Sequence, residues 1–166
     1  MSLKIFCDIA DYRIIKKFNK LKIVKGFTTN PSLMRASGAK NYKQYSLKIL
    51  KICKTKPISF EVFADDIEGM IQQAHKIKSW GKNVYVKIPV VNSKGKFTGR
   101  AIRELSSKNV KLNITAVYTY DQVKKIVKVL NKRSKSIISI FAGRMADVGK
   151  DPVPIFKRSI NLTKKY

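Results

Sequence analysis

Residues 83–90 read NVYVKIPV, an apolar run that is interrupted by a single lysine, Lys87. A short run of this kind, rich in β-branched residues, is typical of a buried β-strand. The six predicted strands are LKIFCDI (3–9), KIVKGFTT (22–29), ISFEVFA (58–64), NVYVKIPV (83–90), VKLNITAV (110–117) and SIISIFAG (136–143). A charge inside such a strand costs several kcal/mol unless it is paired or neutralised, so the position of Lys87 requires an explanation.

Amphipathic segments separate the predicted strands. Apolar residues at helical spacing predict helices over 10–20, 31–53, 66–79, 99–108 and 119–131, and the last residues, 151–166, also have a helical pattern. Asn30-Pro31 predicts one helix start, and Asp65, Ser93 or Thr119 are expected as further N-caps. Strand and helix alternate with no linker between them, which indicates one α/β domain over 1–166 with parallel strands and right-handed crossovers.

Two architectures fit this alternation, an open doubly wound sheet and a parallel (β/α) barrel of the TIM type. An open nucleotide-binding sheet usually has a glycine-rich turn after its first strand, but this turn reads CDIADY (7–12). The glycines of SKGKFTGR (93–100) match neither nucleotide-binding spacing, so this stretch is expected to be a loop. The barrel is therefore favoured.

The predicted barrel has only six of its eight strands in this chain. At 166 residues the sequence is shorter than the ~200 residues at the low end for such barrels. We expect a C-terminally incomplete domain that is poorly stable and weakly active. A fragment, missing strands supplied by another chain, and a decayed gene product all remain open explanations.

The sequence is strongly basic, with 36 Lys and Arg against 10 Asp and Glu and a formal net charge of +26. A basic nucleic-acid-binding α/β module is therefore an alternative of a different class. However, the basic residues are spread over every segment, lysine outnumbers arginine, and the aromatic residues stand singly. These features favour a lysine-rich surface with no specific nucleic-acid partner.

Location and redox state follow from what the sequence lacks. No apolar run reaches the ~20 residues that span a bilayer, and no signal peptide begins the chain, so we expect a cytoplasmic protein without a membrane partner. Cys7 and Cys53 form no metal-binding pattern and are expected to be free thiols.

Polar side chains occur at the end of every predicted strand. They are Asp8, Thr29 and Asn30, Glu61, Lys87, Asn113 and Thr115, and Ser139. In a barrel the carboxyl ends of the strands converge on one mouth, so Asp8, Glu61 and Lys87 are expected to meet there.

These residues favour the chemistry of a lysine with two carboxylates. The only histidine, His75, lies on a predicted helix, which disfavours a histidine-based triad. A lysine in an apolar strand can be neutral enough to form a Schiff base with a carbonyl substrate, and carboxylates can transfer the protons. This is the logic of a class I aldolase-type enzyme.

Five stretches extend this interpretation to a known family. GFTTNPSLM (26–34), FEVFADD (60–66), VYVKIP (84–89), LNITAVY (112–118) and ISIFAGRMAD (138–147) resemble, in order and position, motifs of the transaldolase family. The resemblance runs from residue 3 to about 160. It is strongest with the short, single-barrel subfamily, which also contains fructose-6-phosphate aldolases.

The resemblance implies an activity and its partners. Such enzymes transfer a dihydroxyacetone unit from a ketose phosphate to an aldose phosphate in the pentose phosphate pathway. They need no cofactor and no metal, and a full-length form is expected to be a homo-oligomer.

The resemblance also implies roles for individual residues. Lys87 would form the Schiff base, Asp8 would take the proton of the C4 hydroxyl, and Glu61 and Thr115 would hold a proton-shuttling water. Asn30, Asn113 and Ser139 would bind hydroxyls of the dihydroxyacetone part, Thr29 would shape the same wall, and Arg144 would hold the phosphate.

The family contains two activities, which differ at two of these positions. In the aldolase branch, Gln and Tyr correspond to Glu61 and Phe141 of this sequence. The pair present here therefore favours transaldolase, and fructose-6-phosphate aldolase is the alternative.

Overall fold

A computed structural model describes residues 3–164. It contains six parallel strands, β1 (Ile5–Asp8), β2 (Val24–Thr28), β3 (Ile58–Glu61), β4 (Val84–Pro89), β5 (Leu112–Val117) and β6 (Ser136–Ile140). All six predicted strands are present, and each is shorter than the apolar run that predicted it. The parallel pairing predicted from the strand–helix alternation is confirmed.

Eight helices connect or follow these strands in the described part of the chain. They are α1 (Tyr12–Asn19), α2 (Pro31–Ala36), α3 (Tyr42–Ile52), α4 (Ile67–Lys78), α5 (Gly99–Ser107), α6 (Tyr120–Val129), α7 (Ala142–Asp147) and α8 (Val153–Thr163). Two predicted boundaries were wrong. The single helix over 31–53 is two helices, and the last residues of the predicted strand 136–143 begin α7.

The break between α2 and α3 has a local cause. Gly38 has a φ of +84°, in the left-handed region that a residue with a Cβ rarely adopts, so the chain leaves the helical path there. The amide N–H of Gly38 donates to the Arg35 carbonyl at 2.9 Å and closes the end of α2.

The helix caps agree only in part with the prediction. Asn30 caps α2, with Pro31 at its first position, and Thr119 caps α6 in a capping box with Gln122. The predictions of Asp65 and Ser93 as caps were wrong. These two residues bind each other instead, because both the amide and the hydroxyl of Ser93 donate to the Asp65 carboxylate at 2.7 Å.

The sheet has the simple strand order β1-β2-β3-β4-β5-β6. A doubly wound sheet reverses direction within its order, so this sequential order belongs to a barrel. The sheet is also curled, because Asn113 Nδ2 on β5 donates to Ser59 Oγ on β3 at 3.0 Å, across the intervening β4. In a flat sheet two spacings of ~4.8 Å would separate these strands. The TIM-type architecture with six strands is confirmed.

The two faces of the curled sheet differ in polarity. Phe60 on β3, Val86 and Ile88 on β4, and Ile114 on β5 are fully buried and belong to the apolar core. The alternate positions of the same strands include Lys87 and Asn113. The polar side chains of the strands therefore face the inside of the curl. None of the helices in residues 3–164 has the length and apolarity to cross a membrane.

Candidate active site

The carboxyl ends of the strands border one cavity of about 490 Å³. Its lining includes eight of the ten residues predicted for the site. These are Asp8, Asn30, Lys87, Asn113, Thr115, Ser139, Phe141 and Arg144. The convergence predicted from the strand ends is therefore present in the fold.

Lys87 occupies the centre of the site. It lies in the middle of β4 and is only 7% exposed. Its Nζ donates to the Thr29 carbonyl oxygen at 3.1 Å and lies 3.4 Å from Glu61 Oε2. Glu61 is the register partner of Lys87 on β3, so the pairing of the two strands places the carboxylate beside the amine.

Glu61 lies behind Lys87 and does not line the cavity. Burial raises the pKa of its carboxyl group above the ordinary value, although the Lys87 ammonium acts in the opposite direction; the Asp8 carboxylate adds a further small rise. A raised pKa makes the carboxylate a stronger base, which suits a group that accepts protons.

Asp8 has a different environment from the one expected. It is exposed, and its Oδ1 accepts a hydrogen bond of 2.6 Å from Thr28 Oγ1. Asp8 and Lys87 line the same cavity but form no ion pair. Asp8, Glu61 and Lys87 were expected to meet at the mouth of the barrel. Asp8 reaches the same cavity as Lys87 but does not pair with it, because β1 is the edge strand of the curl and its carboxyl end is open to solvent.

A chain of hydrogen bonds fixes the opposite wall. Ser139 Oγ on β6 donates to Asn113 Oδ1 at 2.7 Å, and Asn113 Nδ2 donates to Ser59 Oγ. Thr115, two residues further along β5, is also buried, but its Oγ1 has no hydrogen-bond partner. A buried hydroxyl without a partner costs free energy, and in a cavity wall it is available to a ligand or to water.

The backbone beside Thr115 is unusual. Ala116 has a φ of +57°, and the β5–β6 register shifts between Ile114 and Val117. A left-handed non-glycine residue at a bulge is a strained conformation of the kind that re-aims a neighbouring side chain.

The remaining predicted residues lie at the rim or behind it. Phe141 lines the cavity and packs edge-to-face on Tyr118, with ring centroids 5.6 Å apart. Arg144 on α7 is exposed, and its Nη1 lies 3.7 Å from Asp147 Oδ2. Thr29 does not line the cavity, and its hydroxyl donates to the Ser59 carbonyl at 2.8 Å.

A family model described as Transaldolase/Fructose-6-phosphate aldolase matches residues 5–166 of this chain. The chain belongs to this family. A probable transaldolase of Methanococcus maripaludis (strain C5) is 37% identical over 90% of the chain, and the chain covers 65% of that protein. A probable transaldolase of Thermoplasma volcanium is 36% identical over 99% of the chain, and 70% of that protein is covered.

A solved structure with a similar fold is a lyase. The match to N-acetylneuraminate lyase from Mycoplasma synoviae covers 86% of this chain and 53% of the lyase chain, with a TM-score of 0.45 and 12% sequence identity.

The sequence did not reveal three contacts that position the site of this transaldolase-family chain. The Tyr42 hydroxyl donates to the Glu61 carbonyl at 3.1 Å and accepts from the Glu61 amide at 2.8 Å. Burial raises the pKa of the Tyr42 phenol, which therefore remains protonated. Thr28 and Ser59 could have been found from strand parity, because they pair with each other and lie near Asp8 and Glu61. Tyr42 lies on a helix and gives no such signal.

Proposed function

We propose that this chain carries the active site of a transaldolase, which transfers a dihydroxyacetone unit from a ketose phosphate to an aldose phosphate. The observation that supports it most is the buried Lys87 amine, held between the Thr29 carbonyl and the Glu61 carboxylate at the base of a polar cavity. Family membership and relatives named as probable transaldolases point to the same chemistry.

The first step is formation of a Schiff base on Lys87. A proton leaves the ammonium, and the neutral amine adds to the C2 carbonyl of the ketose phosphate to give a carbinolamine. Protonation of the carbinolamine hydroxyl and loss of water then leave the protonated imine. Glu61 is 3.4 Å from the amine and is suited to accept and return protons through a water molecule, which the unpartnered Thr115 hydroxyl would hold.

The second step is cleavage of the C3–C4 bond. Asp8, exposed at the cavity wall, takes the proton of the C4 hydroxyl as the bond breaks. The electron pair of the C3–C4 bond moves into the protonated imine and gives an enamine, so the cation on Lys87 serves as the electron sink. The C4 fragment leaves as an aldehyde, the first aldose phosphate. An acceptor aldehyde then reacts with this enamine, and the reverse steps release the new ketose.

Substrate binding divides between the two walls. The Asn113–Ser139 hydrogen bond places an amide and a hydroxyl next to Lys87, where they would bind hydroxyls of the dihydroxyacetone part, together with Asn30. Arg144 extends from the first helix after β6 at the rim, where its guanidinium would hold the phosphate.

Transfer rather than simple aldol cleavage is supported by Phe141. It lines the cavity with a phenyl ring and offers no hydroxyl that could position a water to protonate the enamine. The enamine therefore waits for the acceptor. Steady release of dihydroxyacetone from fructose 6-phosphate without an acceptor would instead indicate fructose-6-phosphate aldolase.

The deciding experiment is borohydride reduction of the chain with fructose 6-phosphate, followed by peptide mass analysis. We expect one adduct, on Lys87, and none on Lys87→Arg. Lys111→Arg is the matched control, because Lys111 also borders a strand but lies at its amino end. The Lys111→Arg variant should be labelled on Lys87, as the parent chain is. An adduct on another lysine, or no adduct with a folded chain, defeats the mechanism.

A further inference from the structure

A second charged feature lies at the opposite end of the sheet from the site. The loops that lead from a helix into a strand are 20–23, 53–57, 79–83, 108–111 and 130–135. They contain ten basic residues and no acidic residue, whereas the loops that lead from each strand into the next helix contain two basic and three acidic residues. Among the loops, the positive charge is therefore concentrated at one end of the sheet.

Every strand begins just after a lysine. We define the basic face as the six lysines that precede β1 to β6 by one or two residues, namely Lys4, Lys22, Lys56, Lys82, Lys111 and Lys135. Because the strands are parallel and neighbours lie ~4.8 Å apart, these lysines follow one edge in a row of roughly 25 Å. The row is as long as several consecutive phosphates of a nucleic-acid backbone.

The ammonium groups of the basic face have no acidic partners. Within residues 3–164, none of the six lysines forms an ion pair with a carboxylate. Two of them bind backbone oxygens instead: Lys111 Nζ donates to the Lys82 carbonyl at 2.6 Å, and Lys56 Nζ donates to the carbonyls of Asn19 and Leu21 at 2.6 and 2.8 Å. The charges are thus partly ordered and not neutralised by the protein.

The face also has a concave part. A cleft of about 280 Å³ is lined by Lys78, Lys82 and Lys111, with Asn109 and Gly81 between them. Three ammonium-bearing side chains around one depression can approach a single phosphate from several sides.

We propose that the basic face binds the phosphate backbone of a nucleic acid without reading its sequence. Lysine is a point charge on a flexible stem and suits phosphate contacts, whereas base-edge readout favours bidentate arginine. A membrane surface fits less well, since binding to a bilayer also requires buried apolar area. Among the described residues at this end of the sheet, the exposed large apolar ones are Leu3, Ile5, Leu21 and Ile23. All four lie in or beside β1 and β2, and the other four helix-to-strand loops contain none.

The proposed interaction is independent of the sugar-phosphate chemistry. Lys82 and Lys87 are five residues apart along the chain that forms β4, roughly 17 Å in an extended strand. A polyanion at the amino ends of the strands therefore leaves the cavity at their carboxyl ends open.

The experiment compares two variants of equal net charge, each with three lysines changed to glutamine. The face variant carries Lys22→Gln, Lys82→Gln and Lys135→Gln. The loop variant carries Lys40→Gln, Lys94→Gln and Lys96→Gln, all in exposed segments at the cavity end. Each reduces the formal charge from +26 to +23. Binding of a fluorescent 20-nucleotide single-stranded RNA of random sequence is measured by anisotropy at several salt concentrations, and circular dichroism verifies folding.

We expect the parent chain to bind with an affinity that falls steeply with salt. The face variant should lose at least about tenfold in affinity at 0.1 M salt, and its salt slope should be lower by about 2, since each phosphate contact contributes about 0.7 on a single strand. The loop variant should stay within about threefold of the parent, and a second RNA of unrelated sequence should bind equally well.

Three results would overturn the proposal. Equal losses in the two variants would assign the binding to net charge alone. A folded face variant with unchanged affinity would place the RNA elsewhere. Phosphatidylserine vesicles that displace the RNA and bind the parent chain more tightly would identify a membrane as the partner of this face.

Discussion

At the scale of single residues, the Thr115 hydroxyl lowers the stability of the fold while it serves the proposed function. Its hydroxyl is buried without a partner, so the folded state bears a desolvation cost that no hydrogen bond offsets. Thr115→Val keeps the shape and removes the hydroxyl. We expect the free energy of unfolding to rise by about 1 kcal/mol, while formation of the Lys87 adduct slows by about 10²-fold, because the proton-shuttling water loses its support. Urea titration and the rate of borohydride trapping measure the two effects.

Ser139→Ala is the matched control for this prediction. The Ser139 hydroxyl donates to Asn113 Oδ1 at 2.7 Å, so its removal leaves a buried acceptor without its donor. We expect Ser139→Ala to lose about 1 kcal/mol of stability. If Thr115→Val is destabilised by as much as Ser139→Ala, the Thr115 hydroxyl has a structural partner and its proposed role fails.

The raised pKa of Glu61 determines how its contribution to stability changes with pH. Burial raises the pKa of its carboxyl group in the folded chain above the value in the unfolded chain. The folded state therefore holds this proton more tightly, and the contribution to stability is complete below the unfolded pKa and is lost as pH rises through the folded pKa. We expect the free energy of unfolding to decline over this range, and the decline should be absent in Glu61→Gln.

The same substitution tests the role of Glu61 in catalysis. Glutamine cannot exchange a proton but can still hold a water by hydrogen bonds, as the Gln of the aldolase branch would, so Schiff-base formation should slow by no more than about 10²-fold. Urea titrations at a series of pH values and trapping rates at each pH provide both readings. A parent chain and a Glu61→Gln variant with parallel stability curves would contradict the raised pKa.

At the scale of elements, glycine has opposite effects at two positions. Gly38 has a φ of +84° and no atom within 4 Å of the place of a Cβ, so Gly38→Ala meets no clash but must adopt a strained backbone. We expect a loss of about 1 kcal/mol. Gly143 lies inside α7, also has open space around its Cβ position and has no positive φ, so Gly143→Ala should gain about 0.5–1 kcal/mol. Thermal unfolding of both variants measures this difference, and equal shifts would show that the Gly38 turn is not left-handed.

Element type was predictable from the sequence, but helix limits were less so. The alternation of apolar runs and amphipathic segments predicted all six strands, because short runs rich in β-branched apolar residues favour parallel strands covered by helices. The helix over 31–53 failed at Gly38, where the helical spacing of apolar residues continues across a turn. Asp65 failed as a cap because the Ser93 amide, 28 residues further on, binds its carboxylate.

The candidate site was predictable where it depends on strand ends. Lys87 and Glu61 are register partners, and register follows from strand order and parity. The exposed position of Asp8 was not predictable, since it depends on which strand forms the edge of the sheet. Tyr42 was not predictable either, because it reaches the backbone of Glu61 from α3, and helical periodicity describes which face is buried but not what it contacts.

At the scale of the whole molecule, the fold changes the meaning of the charge. Along the sequence the lysines are spread over every segment, which favours a uniformly basic surface. In the fold, parallel strands bring all helix-to-strand loops to one end, and these loops contain ten basic residues and no acidic residue. Basic residues that are spread evenly along the sequence are therefore unevenly divided between the loops at the two ends of the sheet. Only the topology could show this.

Crowded like charges should also make stability depend on salt. At 0.01 M ionic strength the Debye length is about 30 Å, longer than the row of the basic face, so its ammonium groups repel one another, whereas at 1 M it is about 3 Å. We expect the melting temperature of the parent chain to rise by about 2–4 °C between these conditions, which corresponds to about 1 kcal/mol.

The two charge variants locate this repulsion. The face variant should melt at a higher temperature than the loop variant at low salt, and its increase with salt should be smaller, although both have the same net charge. Lysine–backbone hydrogen bonds at Lys56 and Lys111 are intact in both, so a difference between them reports repulsion along the basic face. Identical salt responses would mean that the charges act only as a sum over the molecule. The row of lysines would then have no local electrostatic effect, and a polyanion would not be drawn to that end of the sheet in preference to the rest of the surface.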